Sequence, residues 1–230
     1  MIETSQSVQT DTQVGVAFWL NWVLVNALGF AISVAPVFIV PIVNEAMGAT
    51  RGRDTVEATL SVLSPLLGVL IAISVGMLQW FVLRRYVRWA NQWWLATSIG
   101  WIVGGFLASY AAFAVLGARP STLSFNAVTA PVSAAVVGTI QWLVLRRHVR
   151  RAGWWPPASI VSGFIAESLG FYAGFDVALR AAAVAYRFGE NLTAIVFSAS
   201  QQAVIGAFAG SMTGIVLVWL LRHPRPNAPG

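Results

Sequence analysis

Charged residues in this chain are confined to short clusters that separate long uncharged stretches. Five stretches contain no charged residue: 12–44, 58–83, 89–118, 120–145 and 191–221. A sixth stretch, 152–175, contains only Glu167. A helix needs about 20 apolar residues to cross the hydrocarbon core of a bilayer, and every stretch is long enough. The pattern predicts an all-α membrane protein with six transmembrane helices.

Composition narrows the possible chemistry. The chain has 57% hydrophobic and 10% charged residues, whereas about a quarter of a soluble domain is charged. It has no cysteine, which excludes disulfides and cysteine catalysis, and no HExxH, P-loop or Ser-His-Asp signature. Both histidines lie outside the predicted spans. We therefore expect no enzyme activity and no cofactor, while an apolar cofactor such as a carotenoid or quinone, bound by packing alone, stays compatible with the sequence.

The arginines predict an orientation. With both termini in the cytoplasm, that side would carry nine arginines and two acids, against five of each on the other side. The positive-inside rule therefore favours cytoplasmic termini. Ten of the eleven tryptophans lie toward the same side, as in an interfacial belt.

Some of these arginines are candidates for contact with anionic lipid headgroups, which attract basic side chains at the membrane surface. The candidates are Arg84, Arg85, Arg146, Arg147 and Arg222. The basic loops are short and adjoin helix ends, so nucleic-acid binding is not expected. The expected partners are the lipid bilayer and other membrane subunits.

An internal repeat predicts the architecture. Residues 79–90 match residues 141–152 at nine of twelve positions, and a tryptophan pair soon follows each copy. A weaker third copy ends at Arg222, which follows Gly214 by the same interval that separates Gly76 from Arg84. We expect three helical hairpins, about 14–90, 91–152 and 153–225, arranged with pseudo-threefold symmetry. They would form a single domain over 14–225, with tails at 1–13 and 226–230.

Small residues recur every fourth position on the even-numbered spans, which places them on one helical face. Such stripes let helix backbones approach closely in lipid. We expect the three even spans to pack closely, either against one another or each against an odd span. The stripes are Gly68, Ala72 and Gly76; Ala130, Ala134 and Gly138; and Gly206, Gly210 and Gly214.

Glu167 is the one acid inside a predicted span, and it lies about 18 Å along its helix from Trp155, near the membrane midplane. A buried carboxyl costs several kcal/mol unless it is protonated or paired, so it is a candidate ligand or proton site. A protonated acid that only ties helices together is the competing interpretation. The candidate partners of Glu167, or of a ligand, include Gln79, Gln141, Asn126 and Gln202.

The string Gln-Trp-Leu-Val-Leu-Arg-Arg at 141–147, its variant at 79–85 and the tryptophan pairs resemble a loosely defined group of uncharacterised bacterial multi-pass membrane proteins. The resemblance covers about residues 60–175. It implies a helical membrane fold and a bacterial origin, and with them a location in the inner (plasma) membrane of a bacterium. It implies no activity.

Three functions are compatible with the sequence. The leading hypothesis is a non-enzymatic scaffold or accessory subunit that acts by helix packing, with binding of lipid or an apolar ligand as an additional role. The alternative is a small-molecule or proton/cation transporter with Glu167 as its intramembrane site. An intramembrane enzyme is third, because Glu167 alone supports it.

Overall fold

The computed structural model describes residues 14–35, 53–117 and 121–225. At residues 53–64 and 122–123 it describes the backbone only. The expected tails, 1–13 and 226–230, lie outside the described residues. The described chain is helical and contains no β-strand. Its helices are α1 (Val16–Ile32), α2 (Arg53–Leu83), α3 (Ala90–Leu116), α4 (Thr122–His148), α5 (Trp155–Ile165), α6 (Phe171–Ala185) and α7 (Glu190–Leu221). A five-residue π-helix, Ala166–Gly170, joins α5 to α6.

Five helical segments are long and apolar enough to cross a membrane. They are Pro65–Leu83, Ala90–Leu116, Ser124–His148, Ala152–Phe188 and Glu190–Leu221. Helix α1 is also apolar and has 17 residues, the lower end of the range for a span. The predicted all-helical class is confirmed, and these helices are long and apolar enough for a multi-pass membrane protein.

The outer surface is apolar, as illustrated by α1. Val16 and Leu24 face outward with exposed fractions of 72% and 56%, while Phe18 and Trp22 on the other face are buried. A soluble helix would have the opposite distribution, because water favours polar residues on the exposed face. The outer face therefore suits contact with lipid tails.

The helices form a closed ring in chain order. Helix α1 packs against α2 and α7, α2 against α3, α3 against α4, and α4 against α5. Helices α5 and α6, with the π-helix between them, pack against α7. Counting α5 to α6 as one span, six spans surround a common centre.

Each small-residue stripe packs against an odd-numbered span. A Cβ built on Gly76 would lie 2.7 Å from the carbonyl oxygen of Trp94 on α3. One on Gly138 would lie 2.6 Å from the Cβ of Ser159 on α5. One on Gly206 would lie 2.5 Å from a carbonyl oxygen of α1. The three glycines therefore allow three close helix pairs, α2 with α3, α4 with α5, and α7 with α1.

Gly68 differs from the other glycines of the stripes. Among the described residues, a Cβ at Gly68 would meet no atom within 4 Å, although Ala72, one turn further on, is buried. The neighbouring Leu66 and Leu70 are more than half exposed. In the described part of the chain, the stripe of α2 is therefore buried from Ala72 onward.

Three tryptophans also depart from expectation. Trp22, Trp93 and Trp155 are at most 1% exposed, so they are core residues and not part of a lipid-facing belt. The ring of Trp93 lies edge-on to both others, with centroids 5.9 Å from Trp22 and 5.4 Å from Trp155. Their positions along the helices agree with an interfacial belt, but their side chains are buried inside the bundle.

We expect Gly206→Ala to lower the stability of the bundle by about 1–3 kcal/mol, because the added methyl would overlap the α1 backbone and force two helices apart. Thermal unfolding in detergent measures the change. The matched control is Gly105→Ala in α3, whose new Cβ would meet nothing within 4 Å. The control should unfold at or above the wild-type temperature, since alanine favours helix. Equal behaviour of the two variants would contradict the packing described.

Candidate functional site

A cavity of about 270 Å³ lies in the centre of the ring. Side chains from all six spans line it, and its wall combines aromatic, small and polar residues. Its polar lining residues are Asn26, Gln79, Asn126, Thr129, Ser133, Gln141, Ser159, Ser162, Glu167, Gln202 and Thr213. A cavity of this size and polarity can hold water or a small ligand.

The cavity is closed at one end by a layer formed by Trp22, Trp93, Trp155, Gln79 and Gln141, here called the tryptophan–glutamine layer. All five side chains are buried. Beyond the layer lies a packed apolar cluster that continues to the end of the bundle bearing Arg84 to Arg88 and Arg146 to Arg151, the arginine end. The cavity therefore does not extend to the arginine end.

Gln79 ties three helices together within this layer. Its Nε2 donates to Oδ1 of Asn26 on α1 at 3.0 Å. Its Oε1 accepts from Nε1 of Trp93 at 2.9 Å and from the Thr97 hydroxyl at 3.2 Å, both on α3. The amide of α2 thus satisfies both of its ends in an apolar interior, where an unpaired polar group is costly.

Gln141 repeats the arrangement one hairpin later. Its Nε2 donates to Oγ1 of Thr97 on α3 at 2.8 Å, and its Oε1 accepts from Nε1 of Trp155 on α5 at 2.9 Å. Since Thr97 also donates to Gln79, the hydrogen bonds run without a break from α1 to α5. One buried polar chain therefore connects five helices.

On α7 the corresponding residue is Leu217. It follows Gly214 by three residues, as the two glutamines follow Gly76 and Gly138, and its side chain cannot form these hydrogen bonds. Trp22 instead donates its Nε1 to Oγ1 of Thr213, at 3.2 Å. Ser159, which follows Trp155 by four residues as Asn26 follows Trp22, donates back to its own helix at 2.9 Å. Within the tryptophan–glutamine layer the polar chain therefore ends between α5 and α7. Outside the layer, the Ser162 hydroxyl on α5 donates to the carbonyl oxygen of Ala209 on α7 at 3.1 Å.

Glu167 lies toward the opposite end of the cavity. Its Oε1 accepts from Nδ2 of Asn126 on α4 at 2.9 Å. In the described part of the chain, Asn126 is the one side chain that donates to this carboxyl, so Oε2 is left for a ligand, water or a proton. Glu167 belongs to the π-helix, and π-helical turns are often found at functional sites.

The five candidate site residues all line this cavity. The structure brings Asn126 and Glu167 into direct contact, while Gln202 lies on the facing wall. Gln79 and Gln141 belong to the closed end. Within residues 14–35, 53–117 and 121–225, no cluster of three His, Asp or Glu side chains could hold a metal ion.

Sequence reasoning missed the indole donors and Thr97. The available signal was the constant interval of 14 residues from each glutamine to a tryptophan, Gln79 to Trp93 and Gln141 to Trp155. Had this interval been read as a contact, it would have predicted both bonds. The π-helix at Glu167 has no comparable signal in the sequence.

The five headgroup candidates lie exposed at the arginine end. The Arg84 guanidinium lies 4.6 Å from the ring centroid of Trp80, and that of Arg146 lies 5.0 Å from the ring centroid of Trp142. Arg222 donates two bonds to the carbonyl oxygen of Val14 and so joins the two ends of the described chain.

We expect Gln141→Leu and Thr97→Val to be strongly coupled. Gln141→Leu alone leaves the Trp155 indole N–H without its acceptor and removes the donor to the Thr97 hydroxyl oxygen, so it should cost about 1–3 kcal/mol. In the double variant the loss should be smaller than the sum by about 0.5 kcal/mol or more. Equilibrium unfolding of the four proteins gives the coupling energy.

Thr139→Val provides the matched control on α4. Its hydroxyl is exposed and bonds the carbonyl oxygen of Ala135 in its own helix. The loss from this substitution should simply add to that of Gln141→Leu. Additive losses for Thr97→Val as well would show that the polar chain does not hold the layer together.

No protein-family model, curated protein or solved structure matches the chain. The assignment of function therefore depends on the cavity and on the side chains that line it.

Proposed function

We propose that this protein is a transporter that binds a small organic cation inside the bundle, with the Glu167 carboxylate as its counter-ion. One observation carries the proposal: Glu167 is the only ionisable side chain that the described residues contribute to the cavity lining. A buried carboxylate without a counter-ion costs several kcal/mol. A proton would remove that cost in the empty protein, and a cationic ligand would remove it in the loaded one.

The remaining lining suits a cation with an apolar body. Four aromatic side chains, Trp22, Phe30, Trp101 and Trp155, contribute to the wall. Faces of aromatic rings attract ammonium groups, and Trp is the best of them. Amide oxygens of Asn126 and Gln202 can accept further hydrogen bonds from an amine. These groups favour an alkyl- or arylammonium ion over a metal ion.

The cavity favours transport over the scaffold function that the sequence put first. A protein acting by helix packing alone gains no stability from a central space, since lining atoms lose dispersion contacts there. Helix packing alone also does not require an ionisable group in that space, and the wall carries Glu167 with Gln202 on α7. Binding a ligand accounts for both features.

We place the movable contact between α5 and α7. Transport requires the tryptophan–glutamine layer to open, and Gln79 and Gln141 each hold three helices together. At the α5–α7 contact Leu217 replaces the glutamine and Ser159 bonds its own helix. Among the described residues, the bond left between the two helices is the single one from the Ser162 hydroxyl to the carbonyl oxygen of Ala209. The π-helix Ala166–Gly170 follows α5 in the same span. Its irregular hydrogen bonding can absorb a rotation of α5. Alternating access would then proceed by motion of α5 against α7.

The test is flux in proteoliposomes that contain a pH-sensitive dye, challenged with a panel of alkyl- and arylammonium ions. Because Glu167 would exchange a proton for the cation, an accepted ion should change the internal pH. Glu167→Gln should lower that rate at least about tenfold, which corresponds to losing roughly 1.4 kcal/mol of ligand binding. Folded yield should stay near wild type, because glutamine can still bond Asn126.

Asp176→Asn is the matched control, since Asp176 is an exposed acid paired with Arg180 at 3.0 Å outside the cavity. This variant should keep the wild-type rate. The proposal fails if Glu167→Gln also keeps it, or if no ion of the panel moves protons in the wild-type protein.

Leu217→Gln should slow transport while raising thermal stability. The new amide can accept from Trp22 and donate to Ser159, which would complete the polar chain around the layer. Rates from the same dye assay and melting temperatures in detergent give the two readouts. A faster rate, or a lower melting temperature with unchanged rate, would contradict the position assigned to the moving contact.

We also infer that the bundle consists of three hairpins related by a rotation near 120°, in the inner membrane of a bacterium, with the arginine end in the cytoplasm. The matched bonds of Gln79 and Gln141 support the symmetry, and the excess of arginine supports the orientation. Because the chain has no cysteine, single substitutions report the sidedness. Tyr186→Cys should react with an impermeant maleimide on intact cells, and Asn91→Cys only after the membrane is opened.

A further inference from the structure

We propose that a depression at the arginine end binds the phosphate-bearing headgroup of an anionic lipid. The depression measures about 450 Å³ and lies at the end of α4. Four of its seven lining residues are arginines: Arg146, Arg147, Arg150 and Arg225. The site is separate from the cavity and does not depend on the transport function proposed above.

The fourth arginine is brought to the site by a short pairing of the C-terminal segment. Val149 and Pro224 form an isolated antiparallel bridge. The backbone N–H of Arg150 donates to the carbonyl oxygen of His223 at 3.1 Å, and that of Arg225 donates to the carbonyl oxygen of His148 at 3.0 Å. The backbones of Arg150 and Arg225 are therefore held in place, so both arginine side chains extend from fixed positions beside the end of α4.

The four arginines line one depression without a carboxylate among its described lining residues. All four residues are exposed, and no carboxylate of the described residues lies within ion-pair distance of them, since the one salt bridge in that part joins Arg180 to Asp176. Like charges held together repel one another. A phosphate removes this repulsion and accepts paired hydrogen bonds from the planar guanidinium fork, which arginine forms better than lysine.

The position favours a lipid as the source of that phosphate. Trp142 lines the depression, and the Arg146 guanidinium lies 5.0 Å from its ring centroid. Trp154, 64% exposed, lies one residue beyond Gly153 of the same lining. Exposed tryptophans at the end of a span mark the depth of lipid headgroups. An anionic lipid would thus reach the arginines from the membrane plane.

The first hairpin provides an internal comparison. Arg84, Arg85 and Arg88 occupy the positions that match Arg146, Arg147 and Arg150 in the sequence. They have the same charge and also lie at the arginine end. The C-terminal segment at Pro224, however, pairs with Val149, in the turn that carries Arg146, Arg147 and Arg150. A site built by that pairing should therefore distinguish the two turns, whereas general attraction to anionic membranes should not.

The test is native mass spectrometry of the full chain, titrated in detergent with phosphatidylglycerol and, separately, with phosphatidylcholine. We expect one tightly bound phosphatidylglycerol, and a loss of affinity of about tenfold or more when Arg150→Gln and Arg225→Gln are combined, since each arginine at a membrane surface contributes on the order of 1 kcal/mol. The combined Arg150→Lys and Arg225→Lys variant should keep part of the affinity, which separates loss of charge from loss of fold.

The control combines Arg84→Gln with Arg85→Gln. It removes the same charge from a turn without the C-terminal pairing, so it should lower the affinity clearly less than the Arg150→Gln and Arg225→Gln pair does. Equal losses in the two glutamine pairs, or equal binding of phosphatidylcholine, would overturn the proposal. Inorganic phosphate is added as a competitor to identify the source of the anion. If millimolar phosphate displaces the lipid completely, the site is one for soluble phosphate compounds and the lipid assignment is wrong.

Discussion

The cost of an unpaired polar group in an apolar interior is the constraint on which this structure depends. A glutamine inside a membrane bundle is tolerated only if both ends of its amide find partners. Gln79 and Gln141 meet this requirement by joining an indole on one helix to a hydroxyl or amide on another. Their bonds fix the rotation of five helices and produce the closed end of the cavity.

The cavity follows from the residues on either side of that layer. Toward the arginine end, large apolar side chains such as Leu83 and Leu145 fill the centre. Toward the opposite end, the same face of α4 carries Ala130 and Ala134, which leave space for a ligand. Glu167 faces that space from a π-helical turn. A polar site inside the bundle therefore results from a change in side-chain size along one helical face.

Much of the fold could be predicted from the sequence, because charge clusters mark the span ends and small residues repeat at helical spacing. Gly138 and Gly206 indicated close packing but not the partner helix, since a stripe on one helix does not identify the face opposite. The tryptophan–glutamine layer was predicted less well. Trp93 and Trp155 lie near the ends of their spans, where interfacial tryptophans are expected, and only the tertiary contacts show that their side chains point inward. The π-helix at Glu167 and the pairing of Arg225 depend on long-range packing, which no local pattern encodes.

The most direct measurement is the rate at which Ala209→Cys, a residue of the cavity wall, reacts with small methanethiosulfonate reagents of opposite charge. If the cavity admits water and Glu167 attracts cations, the cationic reagent should react faster than the anionic one. Glu167→Gln should abolish that preference. Val103→Cys on the outer surface should show no preference in either background. An unreactive Ala209→Cys, or a charge preference that survives Glu167→Gln, would contradict the account.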